Sequence, residues 1–307
     1  MPAELQATFA GFGLADWIFV GWSLVLSGVG LFTLTRGYAL PGVDHPVRLR
    51  GLSATALSFL SLGLFFFAVY SSANLFTSLF IKSNGAGLGH QMLAQVLGQM
   101  VGVGTLLFLG NVTRGTVAWA PSAVLEGEPL PAVFSNLKSE LRFTWSACTL
   151  RNWLGSFLSV VGLAVLATLT WKAFYWFCSL QGQVLPEEPQ QLVETLAKWN
   201  GPAWQLWAIF LAIAIGAPVV EELAFRGTLY NSLKGWLPRG YAIVVTGLLF
   251  SIVHGSASAF LPLFAFGCFL CIVRDRFGLF TCMGVHAAFN AHNFFWLLLA
   301  PTASTRF

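Results

Sequence analysis

AWQLWAIFLAIAIGAPVVEELAFR, residues 203–226, is an apolar run long enough to cross a bilayer that ends on two adjacent carboxylates and an arginine. A charged side chain at the centre of a membrane helix costs roughly 2.5–3.5 kcal/mol. Glu221, Glu222 and Arg226 are therefore read first as a functional site. The chain around them is 56% hydrophobic and only 9% charged over 307 residues, with 29 Phe and 12 Trp. That is too apolar for one soluble core and fits an all-α polytopic membrane bundle.

Runs of about 20 residues, the length that spans ~30 Å of hydrocarbon, occur near 14–35, 53–80, 92–112, 153–178, 203–226, 240–257, 259–274 and 279–300. They give about eight transmembrane helices, divided into an N-terminal four-span region, 1–202, and a chemistry-bearing core, 203–307. The first run follows Glu4 and contains Asp16, and it is too long for the apolar part of a cleaved signal peptide. Segments 36–52, 113–152, 226–239 and 274–278 hold 12 of the 16 Lys and Arg residues. All four lie on one side of an eight-span arrangement. The basic side is expected to be cytoplasmic, with both termini outside. Basic loops also account for the net charge of +4, so no nucleic acid is expected.

Segment 113–152, with Pro121, Pro129 and Pro131, reads as a cytoplasmic linker containing one helix over 133–143. Segment 179–202 is acidic, and Leu192, Val193 and Leu196 are spaced for a short helix resting on the outer surface. The chemistry lies further on. Glu222 and Arg226 stand at i and i+4 with the acid first, the better order for a pair, which leaves Glu221 about 100° around the helix and unpaired. Phe250 and His254 repeat this spacing on the sixth span, His286 and Asn290 on the eighth, and Asn293 continues the last face. Polar faces on apolar helices are expected to point into the bundle.

Counting back from a turn near Leu237, Glu221 and His254 both lie ~24–26 Å from it, provided the fifth helix runs on to about Lys234. They can meet. His286 follows the next turn by only about ten residues, so its contact with them requires a tilted helix or a deeper turn.

Taken alone, each feature has a plainer explanation. A Glu–Arg pair near a span end is commonly an anchor, and a lone buried His is commonly a satisfied core residue. Asn290 and Asn293 alone read as interhelical hydrogen-bonding residues. His292, His45 and His90 are read as structural. Cys148, Cys178, Cys268, Cys271 and Cys282 form no disulfide framework and are read as small packing residues.

Together, Glu221-Glu222-Leu223-Ala224-Phe225-Arg226, Phe250-Ser251-Ile252-Val253-His254 and His286-Ala287-Ala288-Phe289-Asn290 resemble the EExxxR, FxxxH and HxxxN motifs of the CAAX-protease and bacteriocin-processing family of intramembrane glutamic endopeptidases. The resemblance covers roughly 203–300. It implies that Glu221 and His254 activate a water with Glu221 as general base. It further implies that Arg226 fixes Glu222, which orients the site, while His286 and Asn290 stabilise the oxyanion. Amide hydrolysis needs such a base and such donors. No cofactor is expected. In the less favoured metalloenzyme version Glu221, His254 and His286 would ligate zinc, although no HExxH pair sets two His on one face.

The expected partner is a membrane-associated protein or peptide substrate, and the expected location a bacterial cytoplasmic membrane. Two further readings are a proton-coupled secondary transporter, which would also use buried Glu and His, and a catalytically idle membrane adaptor. Against the transporter, the acidic and His positions cluster in one half of the chain.

Overall fold

Apolar helix formers with few internal prolines leave the backbone one way to satisfy its polar groups inside a bilayer, the helix. The computed structural model describes residues 12–35, 148–183, 196, 201–234 and 237–300, and every regular element among them is helical. Helix α1 is Leu14–Thr35 and α2 is Leu150–Leu180. Helix α3 runs over 203–233, α4 is Arg239–Val253, and Phe260–Leu299 is divided at Gly278 into α5 (260–277) and α6 (279–299). Three stretches among the described residues, Leu14–Phe32, Leu150–Leu180 and Ala203–Gly227, are long and apolar enough to cross a membrane. The expected spans 53–80 and 92–112, most of the linker and outer segment, His45 and His90 lie outside the described residues.

Three expected boundaries move. The fifth span, placed at 203–226, continues as α3 to Leu233, because no proline lies between Arg226 and Pro238 and Gly227 is absorbed in a wide turn. Two stretches of α3, Ala212–Gly216 and Leu223–Leu229, are π-helical and flank the Glu pair. The sixth span, placed at 240–257, ends as a helix at Val253. Gly255 follows with φ +63°, a left-handed turn that glycine accepts without a Cβ clash. At Gly278, φ +80° and ψ 175° break the last helix. Across that break Cys282 Sγ reaches Leu270 O and the His286 ring meets Phe266, so α5 and α6 run antiparallel.

The connection around Gly278 was expected as a basic loop, yet Arg274 and Asp275 are buried. Asp275 explains why. It accepts from Tyr230 Oη at 2.6 Å, Lys234 Nζ at 2.7 Å and Arg239 Nε at 2.9 Å, with Arg274 Nη1 at 3.6 Å. One carboxylate thus ties the end of α3 to the start of α4 and to α5. Tyr230 follows Glu221 by about nine residues, or ~13 Å, so the Gly278 turn lies level with α3 rather than beyond Leu237. The deeper turn brings His286 to the height of the acids.

Helix α2 is capped by Thr149, whose Oγ1 accepts from Asn152 N, and packs against both α1 and the last hairpin. At its crossing with α1, Gly30 and Gly162 meet backbone to backbone: a Cβ on Gly30 would lie 2.5 Å from Leu158 O and 2.6 Å from Gly162 N. Small residues let membrane helices approach this closely. The core gathers Val160, Phe225, Leu229, Phe250, Phe266, Leu270 and Val285, while Trp17, Trp22, Leu169, Phe174, Trp176 and Trp207 face outward, as a lipid-facing surface requires.

Candidate active site

Four helices deliver the site. Glu222, at the end of the α-helical turn Ala217–Glu222, is wholly buried beside Arg226. Arg226 Nη1 donates to Glu222 Oε1 at 2.9 Å, and Nη2 donates to Gly267 O at 2.9 Å. The guanidinium also lies 4.6 Å from the Phe250 ring centroid, so the aromatic of the second motif covers the cation of the first. A buried pair with its donors engaged is rigid, and removing one member strands the other charge. The expected Glu222–Arg226 pair therefore forms.

His286 joins this pair from α6. Its Nδ1 lies 2.7 Å from Glu222 Oε1, and because a carboxylate bound to Arg226 only accepts, Nδ1 carries the proton and donates. The ring is thereby turned with Nε2 toward Glu221 Oε2, 3.8 Å away. His254, immediately after α4, is oriented in the same manner. Its Nδ1 donates to Phe250 O at 2.6 Å, and its Nε2 lies 3.9 Å from the same Glu221 Oε2. In their neutral forms both rings present an accepting Nε2 to Glu221.

Glu221 Oε2 is buried and receives no hydrogen bond from the protein. The two 3.8–3.9 Å separations are beyond direct hydrogen bonding and match the reach of a bridging water. The side chains of Glu221 and His254 remain 27% and 24% exposed, so the site is open on one side.

Asn290, one turn beyond His286, donates through Nδ2 to Ile213 O at 3.0 Å. Ile213 sits in the first wide turn of α3, where Ala217 N donates to Ala212 O and Pro218, five residues after Ile213, has no N–H to give, which leaves the Ile213 carbonyl to a side-chain donor. The amide carries a second N–H for another acceptor. Asn293 belongs elsewhere: its Oδ1 lies 3.3 Å from His292 Nδ1, and His292 Nε2 accepts from Trp22 Nε1 at 3.0 Å. His292 bridges α6 to α1.

Two contributors were missed in the sequence. Cys282, read as a packing residue, places Sγ 2.9 Å from Glu222 Oε2. It precedes His286 by four residues on the same face, so helical spacing could have revealed it. Trp171 of α2 donates to Ala257 O at 2.9 Å and lies against Phe260, holding the turn after His254. No local pattern announces that contact.

Residues 202–292 match the family model described as "Rce1-like: Type II CAAX prenyl endopeptidase Rce1-like". The segment contains all three motifs, and the family recognised in the sequence is the family that the model describes, one of membrane proteases. No curated protein and no solved structure matches the chain. With its apolar helices, this family match makes the chain an integral membrane protein.

Proposed function

We propose that the chain is an intramembrane endopeptidase in which Glu221 and His254 activate a water for attack on a peptide carbonyl. The observation carrying this reading is the orphaned, buried Glu221 Oε2 facing the two oriented imidazoles at 3.8 and 3.9 Å. A water between Glu221 and His254 gives one proton to each acceptor's lone pair and keeps its own lone pair for the carbonyl carbon. As the C–O bond forms, Glu221 takes the proton. The oxyanion is held by the second N–H of Asn290, and by His286 when its Nε2 also carries a proton. Collapse breaks the C–N bond, and Glu221 returns the proton to the leaving nitrogen. Glu222, engaged by Arg226, has the separate task of orienting His286.

Zinc is the competing reading for Glu221, His254 and His286. Donors ~2.0–2.1 Å from one tetrahedral ion stand about 3.3 Å apart, and the separations here are wider. Among the described residues no group of three or more His, Cys, Asp or Glu forms a metal cluster. The expected substrate is a membrane-associated protein or peptide, and the family model's name makes a prenylated CAAX peptide the first probe. The proposed setting is a bacterial cytoplasmic membrane, and the apolar runs of the sequence support about eight crossings.

Purified protein in proteoliposomes should cleave a farnesylated CAAX peptide. Glu221→Gln should abolish cleavage while the protein stays folded. Asn290→Ala should lower turnover by roughly 10²–10³-fold, as for loss of one oxyanion donor. Chelators should leave the rate intact. Loss on chelation with restoration by one equivalent of zinc would make the three residues ligands, whereas undiminished cleavage by Glu221→Gln would end the general-base assignment. Proton-driven uptake by the same vesicles without cleavage of any membrane peptide would favour the transporter instead, and complementation by Glu221→Gln in cells would favour the adaptor.

A further inference from the structure

Glu222 is gripped at both oxygens. Oε1 receives Arg226 Nη1 at 2.9 Å and His286 Nδ1 at 2.7 Å, while Oε2 lies 2.9 Å from Cys282 Sγ. Cys282 is fully buried, with its sulfur also 3.3 Å from Leu270 O on the facing helix. A thiol has one proton to give, and the nearer, anionic oxygen is the better acceptor. With donors on Oε1 alone, the carboxylate could rotate about its last torsion, which is soft. A donor on Oε2 removes that freedom.

We propose that Cys282 is a positioning residue of the proteolytic site. Its S–H fixes the plane of the Glu222 carboxylate, which fixes the His286 ring and thereby the direction of His286 Nε2 toward Glu221. The proposal rests on the protease reading above and adds to it a residue that touches neither water nor substrate. It assigns a polar task to a side chain whose burial alone would be satisfied by any small apolar group. Glu222, His286 and Cys282 form a relay from α3 to α6 in which orientation, rather than charge, is passed on.

The test compares Cys282→Ala, which removes the donor, with Cys282→Ser, which keeps one of nearly the same size. On the farnesylated peptide, Cys282→Ala should lower kcat by about five- to tenfold with KM nearly unchanged, since a bond to a charged group is substantial but a thiol is a weak donor. Cys282→Ser should restore most of the rate.

Independently of catalysis, the infrared S–H stretch lost on Cys282→Ala should lie at lower frequency than that of the other four thiols, the signature of a bonded proton. Wild-type kcat in Cys282→Ala overturns the proposal, as does a Ser variant that folds yet is as slow as Ala. So does an S–H band at the unbonded frequency. Wild-type protein that cleaves no membrane peptide would instead sink the protease reading, and the catalytic part of the proposal with it, whatever the band's position.

Discussion

Glu221 and Glu222 are neighbours in sequence and opposites in surroundings. Glu222 is enclosed, with Arg226, His286 and Cys282 around it, whereas Glu221 keeps one face open and one oxygen without a protein donor. The difference comes from helical rotation, about 100° between adjacent residues. It predicts a split in phenotype. Arg226→Ala, or Glu222→Gln, should destabilise the fold by about 3–5 kcal/mol, the cost of stranding one partner of a buried pair, and should be visible as a lowered Tm in detergent. Glu221→Gln should leave Tm near wild type. Equal losses of stability for all three would contradict the division. The pairing of Glu222 with Arg226 was legible in the i, i+4 spacing, and Glu221's lack of a partner followed from it. That His286 Nδ1 would grip Glu222 was not legible, because the contact depends on how deep the Gly278 turn lies, and that depth is set by Asp275 binding Tyr230, Lys234 and Arg239.

Among the elements, hydropathy located α1, α2 and α3 well because each is a long apolar run, yet it could not show that α3 contains wide turns at Ala212–Gly216 and Leu223–Leu229. The first of them leaves the carbonyl of Ile213 to Asn290, a residue of α6 far along the chain. The Gly30–Gly162 crossing was equally hidden, since the chain holds 31 glycines and only the packing shows which two of them meet there. Its consequence is testable. Gly162→Ala places a methyl group against the backbone of Gly30, where no side chain can move aside. The α1–α2 contact should open and Tm fall by the equivalent of about 1–3 kcal/mol, the usual penalty of overpacking. Gly21→Ala, with nothing within 4 Å of the added Cβ, is the control that should leave Tm unchanged.

For the whole molecule, the expected topology sets both termini outside and the basic segments inside. A reporter fused after Phe307 should therefore read as external, and a cytoplasmic reading would overturn this topology. The proposed site lies in the final third of the chain, where Glu221, His254, His286 and Asn290 stand out in the sequence against apolar helices. What the residues before 203 contribute emerges from contacts such as Trp171 with Ala257 and Trp22 with His292, which join residues far apart in the chain. The Asp275 cluster has a mechanical meaning as well. It clamps α3, α4 and the last hairpin together at one end, about 13 Å along α3 from Glu221. Like the pivot of a pair of tongs, it permits least movement where the salt bridges are and most at the far tips. The distance from Glu221 to His254 is then the jaw width of the molecule, and a splaying of α3 from α4 would widen it together with the Arg226–Phe250 contact while Glu222, Arg226 and His286 keep their grip on one another.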